Sequence, residues 1–101
     1  MKNSVQKGEV RVVAFKKRGQ WYAVALEFNI VEVSKNFPEV MAQLHEAVAG
    51  YLEAVKKANI RPHPLNQISL KEYEKIWSNI SSKRSIPSPF YRGTINLAAY
   101  A

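Results

Sequence analysis

Between Val10 and Lys57 the spacing of apolar residues changes once. Before Asn36 they recur at every second position; after it they recur at every third and fourth. Period two belongs to a pleated strand and the longer period to one face of a helix. The chain must therefore build strands first and then lay a single long helix across them.

The strands are delimited by their breakers. Glu9–Lys17 reads as a first strand, with Val10, Val12 and Ala14 on one face and Arg11, Val13 and Phe15 on the other. Both faces carry apolar residues, so this strand is expected to be central and covered on both sides. Lys16-Lys17-Arg18-Gly19-Gln20 reads as the turn, where Gly19 supplies the positive φ of a tight hairpin. Trp21–Phe28 is the second strand, Trp21, Ala23 and Ala25 alternating with Tyr22, Val24 and Leu26. Asn29 breaks it, and Ile30–Val33 forms a short third strand.

Asn36-Phe37-Pro38-Glu39 is a helix start: a capping side chain, a proline in the first turn and an acid at the positive end. Phe37, Val40, Met41, Leu44, Val48, Tyr51, Leu52 and Val55 then form one stripe. Lys56 and Lys57 suit the negative end of a helix spanning 36–58. Pro62-His63-Pro64 marks an extended linker. Ser69-Leu70-Lys71-Glu72 reads as a capping box opening a second helix over 69–81, with Leu70, Tyr73, Ile76, Trp77 and Ile80 on its apolar face. Ile86-Pro87-Ser88-Pro89 cannot be helical. Phe90–Tyr100 ends in Thr94–Tyr100, which reads as a strand joining the sheet of its own chain or of a neighbour, and Ile86–Tyr100 is expected to be an extended arm that packs across a dimer mate or adds a strand to its sheet. The expected class is α+β, with a three- or four-stranded, mainly antiparallel sheet under helix 36–58. Residues 1–58 are the core, and 59–101 belong to the same domain or to its oligomer interface.

At 101 residues the chain is one domain, small enough that association would help its stability. The net charge of +7 is unevenly spread. Residues 1–20 set six Lys or Arg against Glu9, and residues 59–101 set six against Glu72 and Glu74. Residues 21–58 are net acidic. The basic ends suit an anionic partner such as nucleic acid. Lys16, Lys17 and Arg18 beside Trp21 and Tyr22 form one candidate contact. Lys83, Arg84 and Arg92 beside Phe90 and Tyr91 form another. The alternative to nucleic-acid contact is turn charge beside core aromatics. Phe90, Tyr91, Ile95, Leu97 and Tyr100 are the candidate partner or oligomer interface. Glu39, Glu46 and Glu53 recur every seven residues along one side of the helix, a stripe that is either solvated or read by a basic partner.

Catalysis has little to start from. Cysteine is absent, which removes disulfides, thiolate metal sites and thiol nucleophiles. All eight acids are glutamate, and none in the strands has the spacing of a two-metal carboxylate site. His45 sits at the edge of the helix stripe. His63 lies between prolines with no second ligand at short spacing. No serine has a nucleophile-elbow or Ser-x-x-Lys context. No catalytic, cofactor-binding or metal residue is assigned, and a non-enzymatic protein is expected. No apolar run approaches a membrane span, and Met1-Lys2-Asn3-Ser4 is not followed by the apolar stretch of a secretory signal, so a cytoplasmic protein is expected.

Trp21-Tyr22-Ala23-Val24, the turn entry Glu27-Phe28-Asn29, the strand Val31-Glu32-Val33, and Asn36-Phe37-Pro38-Glu39-Val40 leading to Leu44, Glu46-Ala47 and Tyr51-Leu52 together resemble the HicB-like antitoxin family. The resemblance covers roughly residues 9–58. It implies a partial ribonuclease-H-like sheet and helix, homo-oligomers, and a small toxin-like protein as partner. The chain departs from the family in having Phe28-Asn29-Ile30 in place of a proline-glycine-cysteine-like turn. It also has Ser34-Lys35 where a glycine usually precedes the helix cap. Residues 59–101 contain neither a helix-turn-helix nor a ribbon-helix-helix pattern, so DNA-binding autorepression is not among the expectations.

Overall fold

A computed structural model of the chain describes residues 3, 8–58, 67, 70–81 and 90–97, with the backbone alone at 79–81 and 90. Its elements are β1 (Glu9–Lys17), β2 (Gln20–Ala25), a 3-10 turn (Leu26–Phe28), β3 (Ile30–Ser34), α1 (Phe37–Ala58), α2 (Lys71–Ser81) and β4 (Phe90–Asn96). The strands form one antiparallel sheet in the order β3-β2-β1-β4. This is the expected α+β class.

The β1–β2 hairpin is tighter than the sequence reading allowed. Lys17 pairs with Gln20, so only Arg18 and Gly19 turn the chain. Both have positive φ, 54° and 78°, the two-residue geometry whose twist matches that of the flanking strands.

The second strand stops at Ala25 rather than Phe28. A strand would send Leu26 and Phe28 to the same face. The 3-10 turn sends them to opposite faces instead, and each is buried in a different core. Asn29 then takes the left-handed conformation (φ 53°, ψ 36°) that only a short polar residue or glycine visits readily, and β3 begins.

Helix α1 starts as its sequence directs. The Glu39 backbone N–H donates to Asn36 Oδ1 at 2.8 Å, and the Val40 N–H to the Asn36 carbonyl at 3.1 Å. Its predicted stripe is its buried face. Val40, Leu44, Val48, Leu52 and Val55 pack with Val10, Val12, Ala14, Ala23 and Ala25, and Phe37, Met41 and Tyr51 close the margins. The opposite face of the sheet is covered by α2. Tyr73, Ile76 and Trp77 pack on Val13, Val24, Leu26 and Phe15. β1 is thus central and covered on both sides.

Leu70 departs from its expected place on the apolar face of α2. Its carbonyl accepts the N–H groups of Tyr73 and Glu74, each at 3.1 Å, which makes it the residue before the first helical turn, and its side chain is exposed. Ser69, the expected cap, and the Pro62–Pro64 linker lie outside the described residues, as does the side chain of Ile80. β4 runs antiparallel to β1 along Glu9–Phe15, and the Leu97 N–H closes the edge on the Gly8 carbonyl at 3.0 Å. Ile95 and Leu97 enter the α1-side core.

Candidate functional site

Three surfaces carry the polar chemistry of the described residues. The first is the hairpin. Lys16, Lys17 and Arg18 are all exposed at one end of the sheet. Their aromatic neighbours are engaged with other rings. Trp21 meets Phe37 edge-on at 4.9 Å, and Tyr22 lies parallel to Phe15 at 5.4 Å. Alternation across β2 puts these two rings on opposite faces of the sheet, so they do not form one stacking platform beside the cations.

The second surface joins β1, β4 and α2. The Arg11 guanidinium donates from Nη1 and Nη2 to the two carboxylate oxygens of Glu74 at 2.8 and 2.7 Å, and from Nε to Glu27. Glu27 also accepts the Arg11 backbone N–H at 2.8 Å. The Arg11 pKa is raised above its ordinary value. The Glu74 hydrogen bonds are the main cause; partial burial opposes them, and Glu27 adds to them. Trp77 lies under two guanidiniums, Arg92 at 3.9 Å and Arg11 at 5.4 Å from the ring centroid. This constellation was not foreseen. Its one signal is an arginine set between valines in a strand destined to be covered on both faces.

Arg92, expected beside Lys83 and Arg84 as a nucleic-acid contact, is therefore seated on Trp77; Lys83 and Arg84 lie outside the described residues. Of the expected interface residues, Ile95 and Leu97 are buried in the α1-side core. Tyr91 is 37% exposed, with its ring 5.5 Å from Phe37 and folded back over Gly93, where a Cβ would meet it. The Phe90 side chain and Tyr100 lie outside the described residues.

The third surface is the β3 edge and the adjoining flank of α1. Val31 and Val33 pair with Val24 and Tyr22 on the α2 side of the sheet, yet remain 39% and 40% exposed. On the α1 side, Glu32 shares a groove of about 350 Å³ with Gln43, Glu46 and Ala47. The Gln43 Oε1 atom is itself buried and has no hydrogen-bond partner among the described residues. Of the acidic stripe, Glu39 is engaged by the cap residue Asn36 (3.2 Å) and Glu53 by Lys57 (3.6 Å), while Glu46 faces the groove. The alternation of β3 is legible in its residues but its position at an edge is not, because strand order depends on where β4 returns.

His45 is exposed on α1, and His63 lies outside the described residues. Among the described residues no three His, Asp or Glu side chains are grouped to hold a metal ion, and no helix is long and apolar enough to cross a membrane. No family model, curated protein or solved structure matches the chain.

Proposed function

We propose that the chain is a non-enzymatic, HicB-like interaction protein, of antitoxin or regulatory type, that works as a homo-oligomer in the cytoplasm. Its action is steric: the open sheet edge and the helix beside it cover the working surface of a small toxin-like protein. The observation that carries this reading is the β3 edge, where the neighbouring valines Val31 and Val33 stay about 40% exposed. The order of strands, turn and capped helix on which the resemblance rests also supports it.

The test is coproduction with the product of a small toxin-like gene adjacent to its own, followed by purification through a tag on this chain. A co-eluting complex and relief of toxin-induced growth arrest are expected. Absence of such a neighbour, or of any complex, counts against the proposal. Light scattering of the free chain should give a multiple of the 11.5 kDa monomer mass.

Exposure of Lys16, Lys17 and Arg18 favours a second reading, a small RNA-binding module. It requires single-stranded RNA binding that weakens steeply with salt and with substitution of these three residues. No binding at low salt would end it.

A further inference from the structure

We infer that the β3 edge is a strand-addition site for an extended peptide segment in which basic and apolar side chains alternate. The apolar side chains would lie beside Val31 and Val33, and the basic ones would face Glu32 and Glu46. The inference rests on the proposed role as a protein-binding module and states where the partner sits and what chemistry it carries.

Among the described residues, β3 is paired on one side only. Its five residues, Ile30–Ser34, bond to β2, and no described strand lies on the other side. An edge of this kind presents unpaired backbone donors and acceptors to an incoming strand. What flanks that edge differs between the two faces of the sheet. On the α2 side, Val31 and Val33 offer apolar surface. On the α1 side, Glu32 and Glu46 line the groove. One face asks for aliphatic side chains and the other for cationic N–H donors. Successive side chains of an added strand go to opposite faces, so a segment with the two types in alternation meets both demands at once.

The same charges select against other occupants. Antiparallel pairing of two copies through β3 keeps both α1 helices on one side of the joined sheet. It brings the Glu32 and Glu46 carboxylates of the copies together, an unfavourable like-charge arrangement. The β4 strand of a second copy would offer Tyr91, Gly93 and Ile95 on its α1 side, with no cation among them. An uncharged strand would cover Glu32 without pairing it. A foreign basic strand meets none of these costs.

The probe is a fluorescein-labelled synthetic peptide of repeated Val-Lys, measured by anisotropy against the full chain. Two controls accompany it: a Val-Glu repeat, and a peptide of the same composition with lysines and valines in separate blocks. The alternating basic peptide should bind about tenfold more tightly than either control, as expected for a few partly desolvated charge pairs. On binding, the amides of β3 should gain protection from hydrogen exchange. In the double variant E32K/E46K the preference should reverse towards Val-Glu, an outcome that misfolding cannot imitate. Equal binding of alternating and blocked peptides, or an unchanged preference in E32K/E46K, overturns the inference. If E32K/E46K still copurifies with the toxin-like product, the broader role stands and the edge site falls. If the wild-type chain captures no such product, the broader role fails whatever the peptides do.

Discussion

Arg11 and Glu74, 63 residues apart in sequence, are joined by two parallel hydrogen bonds of 2.8 and 2.7 Å. They tie the central strand to the helix on the far face of the sheet. Helix α2 buries few side chains against the sheet, chiefly Tyr73, Ile76 and Trp77, so this forked contact and the guanidiniums over Trp77 fix its position. Glu74→Ala should cost about 1 kcal/mol, because the pair is only partly buried. Arg11→Ala should cost about 2–3 kcal/mol, since it also leaves the more buried Glu27 without its cation and uncovers Trp77. Both changes should lower hydrogen-exchange protection in α2 before α1. Equal loss across both helices would show that Arg11 does not hold α2 separately.

The two sides of the sheet differ in what they contribute to stability. Leu44 is fully buried at the centre of the α1 stripe. Leu44→Ala should destabilise the chain by about 2–5 kcal/mol. Val33→Thr, at the exposed β3 edge, should change stability by less than about 0.5 kcal/mol. Urea melts of the two variants check this, and a costly Val33→Thr would mean that the edge is covered in the isolated chain.

Much of this architecture was legible because local and global signals agree. The strand alternation and the Asn36 cap fix which residues of β1 and α1 turn inward, whatever their partners are. Leu26 and Phe28 were not legible: their i, i+2 spacing fits a strand, and only the existence of two cores on opposite faces makes a 3-10 turn the better solution. The site was less legible than the fold. The Arg11–Glu74 contact depends on α2 crossing to the second face, and the exposure of Val31 and Val33 depends on β4 joining β1 instead of β3. Both are long-range outcomes that no window of a few residues encodes.

Arg18 holds φ at 54° directly before Gly19 at 78°. A long side chain is strained there, whereas asparagine visits this region readily and Asn-Gly suits such a turn. Arg18→Asn should raise stability by about 0.5–1 kcal/mol, visible as a higher melting temperature. If the RNA-binding reading holds, the same variant should bind RNA more weakly at low salt, so stability and binding would move in opposite directions.

Alkaline pH should weaken the fold. The Tyr51 pKa is raised above 10.0, chiefly by burial, although the hydrogen bond from Gln67 opposes the shift. Burial raises Tyr73 likewise, with the Glu72 charge and Tyr22 adding to it. Both phenols keep their protons to higher pH in the folded chain than in the unfolded one. Their contribution is complete below the unfolded value and is lost as pH rises through the folded value. The melting temperature should therefore be level between about pH 7 and 9 and fall above about pH 10. Tyr73→Phe removes one of these groups and should make that fall shallower; an unchanged slope would assign it elsewhere.

Removal of residues 90–101 tests whether β4 belongs to the core or merely rests on its rim. The strand pairs with β1 over seven positions, and the segment buries Ile95 and Leu97 against α1. Each of those side chains contributes about 1.5–3 kcal/mol by burial. Loss of β4 also turns the apolar β1 into an exposed edge, the arrangement that invites aggregation. Against a total stability of about 5–15 kcal/mol for a domain of this size, these losses are decisive. The chain cut after residue 89 should fail to show a cooperative melt and should aggregate in light scattering. A synthetic peptide of residues 90–101 added in excess should restore the folded circular dichroism signal, because the missing ladder and both core side chains return together. A shortened chain that melts as the full one does would place the centre of stability in β1–β3 and α1 alone.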